Sequence, residues 1–333
     1  AHADAAKKWL ADNKNVWESW TTNSTTSDDS SDNSTSTSDN STSTSDNSSS
    51  SVSGVFVAVG QSGNIVRSTD NGSSWDNATS PTANHLLGVT FGNNTFVGVG
   101  FNGNIVRSTD NGTTWDNATS PTAKLLYGVG LGNNTFVAVG DSGNIVRSTD
   151  NGTTWDNATS QTTNVLNGVT FGNNTFVAVG LSGNIIRSTD NGSSWDNATS
   201  PTANHLLGVT FGNNTFVGVG FNGNIVRSTD NGTTWDNATS PTAKLLYGVG
   251  LGNNTFVAVG DSGNIVRSTD NGTTWDNATS PTASNLFGVN FGNNTFVGVG
   301  NNGNIVRSTD NGSSWDNVTS STGNWVWGVT FLQ

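Results

Sequence analysis

The chain has 333 residues, contains neither cysteine nor methionine, and sets 24 acidic against 12 basic residues for a net charge of −12. Those counts exclude disulfides and thiolate metal sites, and the absence of any basic patch excludes a nucleic-acid-binding surface. No apolar run approaches membrane-spanning length, so no membrane-spanning segment is expected.

Taken in order, Ala1-His2-Ala3 has the form left by an Ala-x-Ala signal-peptidase site. It predicts an exported protein, extracellular or at the cell surface, with its signal peptide removed. Over residues 3–20, Trp9, Leu10, Val16, Trp17 and Trp20 fall near one face of a 3.6-residue period. This predicts an amphipathic helix, and residues 1–20 become a docking segment. The stripe either folds back onto its own chain or docks onto another subunit. Residues 21–51 are a Ser/Thr/Asn/Asp-rich linker in which Ser-Thr-Ser-Thr-Ser-Asp-Asn recurs. Such a composition buries no core. Extended at roughly 3.1 Å per residue, it would reach about 90 Å, enough to span a neighbouring subunit. Its Asn23, Asn33, Asn40 and Asn47 are candidate glycan acceptors.

From residue 52 the chain is periodic. The octet Ser68-Thr69-Asp70-Asn71-Gly72-Ser73-Ser74-Trp75 recurs every 40 residues, beginning at Ser108, Ser148, Ser188, Ser228, Ser268 and Ser308. In the second copy, Asp110 can accept backbone N–H bonds across a hairpin turn, and Gly112 can take positive φ. Trp115 then anchors the following strand. Strands are expected over residues 86–91 (inner), 95–100, 104–108 and 114–119 (outer). Four strands per 40-residue unit, seven times over, define an all-β, seven-bladed β-propeller across residues 52–333. Residues 328–331 align with the first strand of a unit and residues 55–59 with the second, so the C-terminal strand should close the ring. The seven arginines, Arg67 to Arg307, hold one strand position, and Arg107 is expected to pair with Asp116.

The octet resembles the Asp-box, Ser-x-Asp-x-Gly-x-Thr-Trp, of sialidase-type repeats. The surrounding unit, as in Phe136-Val137-Ala138-Val139-Gly140 and Gly143-Asn144-Ile145-Val146-Arg147-Ser148, also resembles the repeats of photosystem II assembly factors and of bacterial propeller lectins. The resemblance implies the fold. A sialidase would further require an arginine triad, a Tyr–Glu nucleophile pair and an acidic Asp, yet Glu18 is the only glutamate and lies outside the propeller. Neither enzymatic activity nor a cofactor or metal is therefore expected.

Residues 81–160 and 201–280 are identical, and the repeats differ mainly at the turn between strands two and three and at the entry to the inner strand. These connections share one face in an up-and-down blade. The candidate ligand-binding residues there are Asn84, His85, Tyr127, Asn164, Asn204, His205, Tyr247, Phe287, Trp325 and Trp327, a mixture of rings and amides suited to carbohydrate. Inter-blade packing is the competing role for the rings. Further glycan acceptors are Asn77 and Asn117 on outer strands and Asn93 and Asn133 in the first turn. Two functions fit. One is a non-catalytic structural subunit that forms a homo-oligomer or filament through residues 1–20. The other is a carbohydrate-binding propeller.

Overall fold

A computed structural model describes residues 54–332. The helix expected over residues 3–20, the linker over 21–51 and the acceptors Asn23, Asn33, Asn40 and Asn47 lie outside the described residues.

Short Asn-containing turns make the local structure. In the second unit Asn93 and Asn94 both adopt left-handed φ (50° and 56°) between paired Gly92 and Thr95. Asn102 (φ 57°) and Gly103 (φ 68°) do the same between Phe101 and Asn104, closed by Asn104 N–H to Phe101 C=O at 3.0 Å. Two successive positive φ values give the hairpin turn whose twist matches the strands it joins. The third such turn is Asn111-Gly112 (φ 60° and 79°) inside the Asp-box. Strands follow at Leu86–Gly92, Thr95–Gly100, Ile105–Ser108 and Asp116–Ala118.

Seven four-stranded antiparallel sheets result. We number the blades by their Asp-box, blade 1 carrying Asp70 and blade 7 Asp310. Blade 1 is completed by the last strand, Val326–Phe331, which pairs with Phe56–Gly60 through Phe56↔Phe331, Val57↔Thr330, Ala58↔Val329 and Val59↔Gly328. Closure is as expected, with the first strand shifted one residue from 55–59. The second strands are buried from end to end, as in Thr95–Gly100, because both faces of each sheet are covered by neighbouring blades. Each seam has its own core. Val97, Val99 and Ile105 of blade 2 pack with Leu126, Phe136, Val146 and Trp155 of blade 3.

Two boundaries differ from expectation for a physical reason. The outer strand begins at Asp116, not residue 114, because Thr114 N–H and Oγ1 are bonded to Asp110 and are withdrawn from the ladder. The third strand begins at Ile105 because Asn104 closes the preceding turn.

One glycine position sets the spacing between turn and inner strand. A Cβ on Gly140 would lie 1.9 Å from the Leu125 carbonyl oxygen, a backbone atom that cannot rotate aside. Gly140→Ala is expected to cost about 2–3 kcal/mol, whereas Gly323→Ala, with nothing within 4 Å of the added carbon, should be neutral. Chemical denaturation of the two variants checks this, and equal midpoints would contradict it.

Candidate functional site

Seven identical blades would present two faces of seven-fold symmetry, and one face nearly does. The Asp-box face is uniform. In blade 2, Asp110 Oδ1 accepts from Ser108 Oγ (2.8 Å), Thr113 N–H (3.1 Å) and Thr114 N–H (2.9 Å), and Oδ2 accepts from Thr114 Oγ1 (2.6 Å). Trp115 is buried and donates Nε1–H to Gly112 C=O at 3.0 Å. Burial acts against the charge of Asp110, but these donors outweigh it and hold the carboxyl down at about 2. A carboxylate so occupied ties the turn together.

The Asp-box also joins blades. Asn151 Nδ2 donates to Thr95 Oγ1 of the preceding blade, as does Asn231 to Thr175 at 2.6 Å. Arg67 Nε donates to Asn111 C=O of the next blade (2.6 Å), and Arg307 Nε to Asn71 C=O (2.9 Å). Arg107 and Asp116 are register neighbours as expected. Arg67 and Arg307 thus donate across the seam to the neighbouring Asp-box.

The opposite face carries the differences. In every blade the inner strand bulges at one residue. Leu86 pairs with Gly100 and Gly88 with Val99, which leaves Leu87 outside the ladder. A bulge re-aims the extra side chain. The residue so released is Leu87, Tyr127, Asn167, Leu207, Tyr247, Phe287 and Trp327 in turn, each half-buried. This places four of the candidate residues, Tyr127, Tyr247, Phe287 and Trp327, at one structural position.

Across four adjacent blades the rings meet. Tyr247 of blade 6 lies edge-on to Phe287 of blade 7, with centroids 5.1 Å apart. Phe287 contacts Trp325 at 5.8 Å, Trp325 contacts Trp327 at 6.3 Å, and Trp327 contacts His85 of blade 2 at 5.5 Å. His85 contacts Phe101 at 4.8 Å. Phe101 and Asp261 were not among the expected site residues, although both sit in the turn where repeats vary. Tyr127 is not part of this arc: its neighbour at the bulge position is Asn167, whose Nδ2 donates to Leu206 C=O at 2.8 Å. His205 contacts Phe221 at 4.8 Å.

Several candidates also have internal partners. Tyr247 donates its hydroxyl to Asp261 Oδ1 at 2.9 Å, and burial, then the Asp261 charge, pushes its phenol well above the ordinary range. Burial raises the Asp141 carboxyl, opposed by its bond with Tyr127 and the charge of Lys124. His85 Nδ1 accepts Ser62 N–H (2.9 Å) and His205 Nδ1 accepts Ser182 N–H (2.8 Å), which assigns the ring proton to Nε2. Burial lowers both imidazoles. In blade 7 Asn285 Oδ1 performs the same task for Ser262 N–H at 2.8 Å. Asn84 and Asn204 accept from Asn102 and Asn222 (both 3.2 Å), and Asn164 is exposed at the rim. Of the acceptors, Asn77 and Asn117 are exposed on outer strands, and Asn93 and Asn133 are exposed in left-handed turns on the Asp-box face.

A surface groove of ≈ 550 Å³ runs along the seam between blades 7 and 1, beside Trp75, Arg307 and Asp316. A second of ≈ 540 Å³ lies beside Ser62, Asn64, Thr82 and Asn324. Among the described residues no cluster of three or more His, Asp or Glu could hold a metal ion, and no helix is long and apolar enough to cross a membrane.

The geometry defines the class: a seven-bladed β-propeller built of Asp-box repeats. No family model matches the chain, and no curated protein matches it. Among solved structures it is similar to one described as YCF48 bound to D1 peptide, at 19% identity and a TM-score of 0.63, covering 80% of this chain and 92% of that one. YCF48 from Cyanidioschyzon merolae matches at 17% identity and 0.60, covering 75% and 90%. The propeller of a nidogen/laminin complex matches at 11% identity and 0.55, covering 84% and 98%. Likeness at these identities is likeness of fold, and a propeller fold by itself hosts many activities.

Proposed function

We propose that the protein is a non-catalytic structural subunit that acts outside the cell, joins copies of itself through residues 1–20 and uses the variable propeller face as a receptor surface. The observation that carries this reading is the confinement of asymmetry to one face. A scaffold needs seven equal blades, whereas a receptor needs one surface unlike the rest. No catalytic role is assigned, since the Asp-box carboxylates are filled by internal donors and Arg67 and Arg307 serve the seams. The propeller described as bound to D1 peptide supports capture of a polypeptide segment by a fold of this kind. The test is sedimentation and electron microscopy of the full chain beside a chain beginning at Ser51. The expected result is assembly of the full chain alone; a monomer in both cases overturns the reading.

A second reading has its own observation. Asn84 and Asn324 directly precede His85 and Trp325 of the arc, and Asp141 and Asp261 are matched in number by Lys124 and Lys244. Rings and amides on a face without net charge suit a neutral sugar chain. On a glycan array the chain carrying Tyr127→Leu and Tyr247→Leu, residues already accommodated at positions 87 and 207, should lose such binding. Binding undiminished in that double variant, or no binding by the parent chain, removes this reading.

A further inference from the structure

We propose that Asn302, in the turn between strands two and three of blade 7, is a site of spontaneous modification at which the side-chain amide is exchanged for a carboxylate on the variable face. The reaction needs only water and no second copy of the chain.

The chemistry is that of an Asn-Gly pair. The Gly303 nitrogen loses its proton and attacks Asn302 Cγ. The N–Cγ bond forms as Cγ–Nδ2 breaks, and ammonia leaves with the proton. Water then opens the cyclic imide at either carbonyl. Breaking N–Cγ leaves an aspartyl residue. Breaking the bond to the main-chain carbonyl leaves an isoaspartyl residue, whose backbone is longer by a methylene. Glycine favours the attack because no side chain shields its nitrogen.

Eleven Asn-Gly pairs occur, all between residues 71 and 312, and most are held. Seven lie in the Asp-boxes. There the glycine N–H donates to the serine hydroxyl of the box, as Gly312 does to Ser308 Oγ at 2.9 Å. Six of the seven asparagine amides also donate to a threonine of the preceding blade. Asn111 does not, because Val55 stands where the other blades have that threonine. Its Gly112 N–H is nevertheless bonded to Ser108 Oγ (3.0 Å), and its carbonyl accepts Arg67 Nε. Asn167 is bonded to Leu206 C=O, and Gly168 lies in the ladder opposite Val179.

Three pairs remain, all in the turn between strands two and three. Their backbones are alike, with φ of 57°, 58° and 54° at Asn102, Asn222 and Asn302. Asn102 and Asn222 are tied down by donation to Asn84 and Asn204 Oδ1, both at 3.2 Å. In blade 7 the acceptor position holds Ser284, and the exposed Asn302 amide makes no hydrogen bond among the described residues. Cyclisation requires the side chain to swing onto the following nitrogen, and at Asn302 no amide bond has to break first. One ordinary hydrogen bond corresponds to about fivefold in rate.

The product changes the packing. Gly303 (φ 69°) lies so close to the chain leading into the closing strand that a Cβ on it would be 1.9 Å from the Thr322 carbonyl oxygen. The turn is clasped by Asn304 N–H to Asn301 C=O at 3.0 Å. An aspartyl product keeps the chain length and a residue type that accepts left-handed φ. An isoaspartyl product lengthens the backbone inside the turn, so the clasp and the close fit of Gly303 cannot both survive.

The test ages the full chain in mildly alkaline heavy-oxygen water and locates each labelled residue by tandem mass spectrometry. Asn302 is expected to convert about fivefold faster than Asn102 and Asn222, which are read together because residues 81–160 repeat as 201–280. It should also precede every Asp-box asparagine. Asn302→Ser, a residue already held at φ 55–58° at positions 62, 142, 182 and 262, should remove the fastest Asn-Gly conversion and leave the others unchanged. Conversion of Asn102 and Asn222 at the rate of Asn302, or of Asn111 ahead of it, overturns the assignment. The converted fraction, isolated by ion exchange and shown by isoaspartyl methyltransferase labelling to carry the longer backbone, should melt below Asn302→Asp. Equal melting overturns the consequence drawn for the turn.

Discussion

Removal of residues 326–333 is expected to abolish cooperative unfolding of the propeller at the temperature where the intact chain melts. The strand Val326–Phe331 is the inner strand of blade 1, and without it Phe56–Gly60 becomes an open edge. Val326 and Val329 belong to the core that includes Phe56, Ala58, Val66 and Trp75, and Phe331 packs against it with its ring 4.8 Å from Phe56. At about 1.5–3 kcal/mol for each fully buried side chain of this kind, the loss approaches the whole of a typical stability of about 5–15 kcal/mol. The ring also opens, so the seam from blade 1 to blade 2, where Leu86 and Phe96 meet Val57 and Val59, loses its support from one side. Calorimetry of the truncated chain checks this. A transition within a few degrees of the intact chain would mean that the ring does not depend on its closing strand.

Acid should destabilise the propeller in two separable windows. Asp110, Asp230 and Asp310 are held down at about 2, hydrogen bonds outweighing the burial that acts against their charge. Asp150 and Asp270 reach the same value chiefly through the bonds from Thr154 and Thr274. Asp70 and Asp190 are lowered in the same sense. A carboxyl with a folded pKa below its unfolded 3.8 contributes stability that is complete above that value and is lost as pH falls toward 2. Each group is largely solvated and contributes modestly, but seven lose their contribution together. His85 and His205 lie below their ordinary 6.5 because of burial. Their contribution is present above 6.5 and declines as pH falls through the region below it, where the unfolded chain takes up the proton first. Asp141, raised by burial, works in the opposite sense. Melting temperature against pH should therefore show a shallow decline beginning near 6.5 and a steep one below about 4. His85→Asn with His205→Asn, which copies the working arrangement of Asn285, should remove the shallow decline alone. A flat profile from pH 7 to 2 would contradict the role given to the Asp-box carboxylates.

The fold was legible because each unit states its turns in residues that tolerate left-handed φ. Asn-Asn and Asn-Gly pairs stand where the chain reverses, and Trp115 and its copies mark the outer strand. Closure could be read from alignment of residues 328–331 with an inner strand. The candidate surface was legible only as the set of positions where repeats disagree. Its assembly was hidden because the inner-strand bulge, which frees position 87 and its equivalents from the ladder, depends on register between strands and has no residue signature. Nor does the sequence alone state that the bulge residues of adjacent blades touch, which is what separates Tyr247 from the otherwise equivalent Tyr127. The seam bonds of Arg67 and Arg307 were hidden for a similar reason: their acceptors are carbonyls of the next blade.

The most direct test of assembly through residues 1–20 is sedimentation over a concentration series of two full chains, the parent and one carrying Trp9→Ala, Trp17→Ala and Trp20→Ala. The proposed function predicts that the parent assembles and that the variant stays a monomer. Assembly of the variant at the parent's concentration, or a parent that stays monomeric, would contradict joining through the tryptophan stretch.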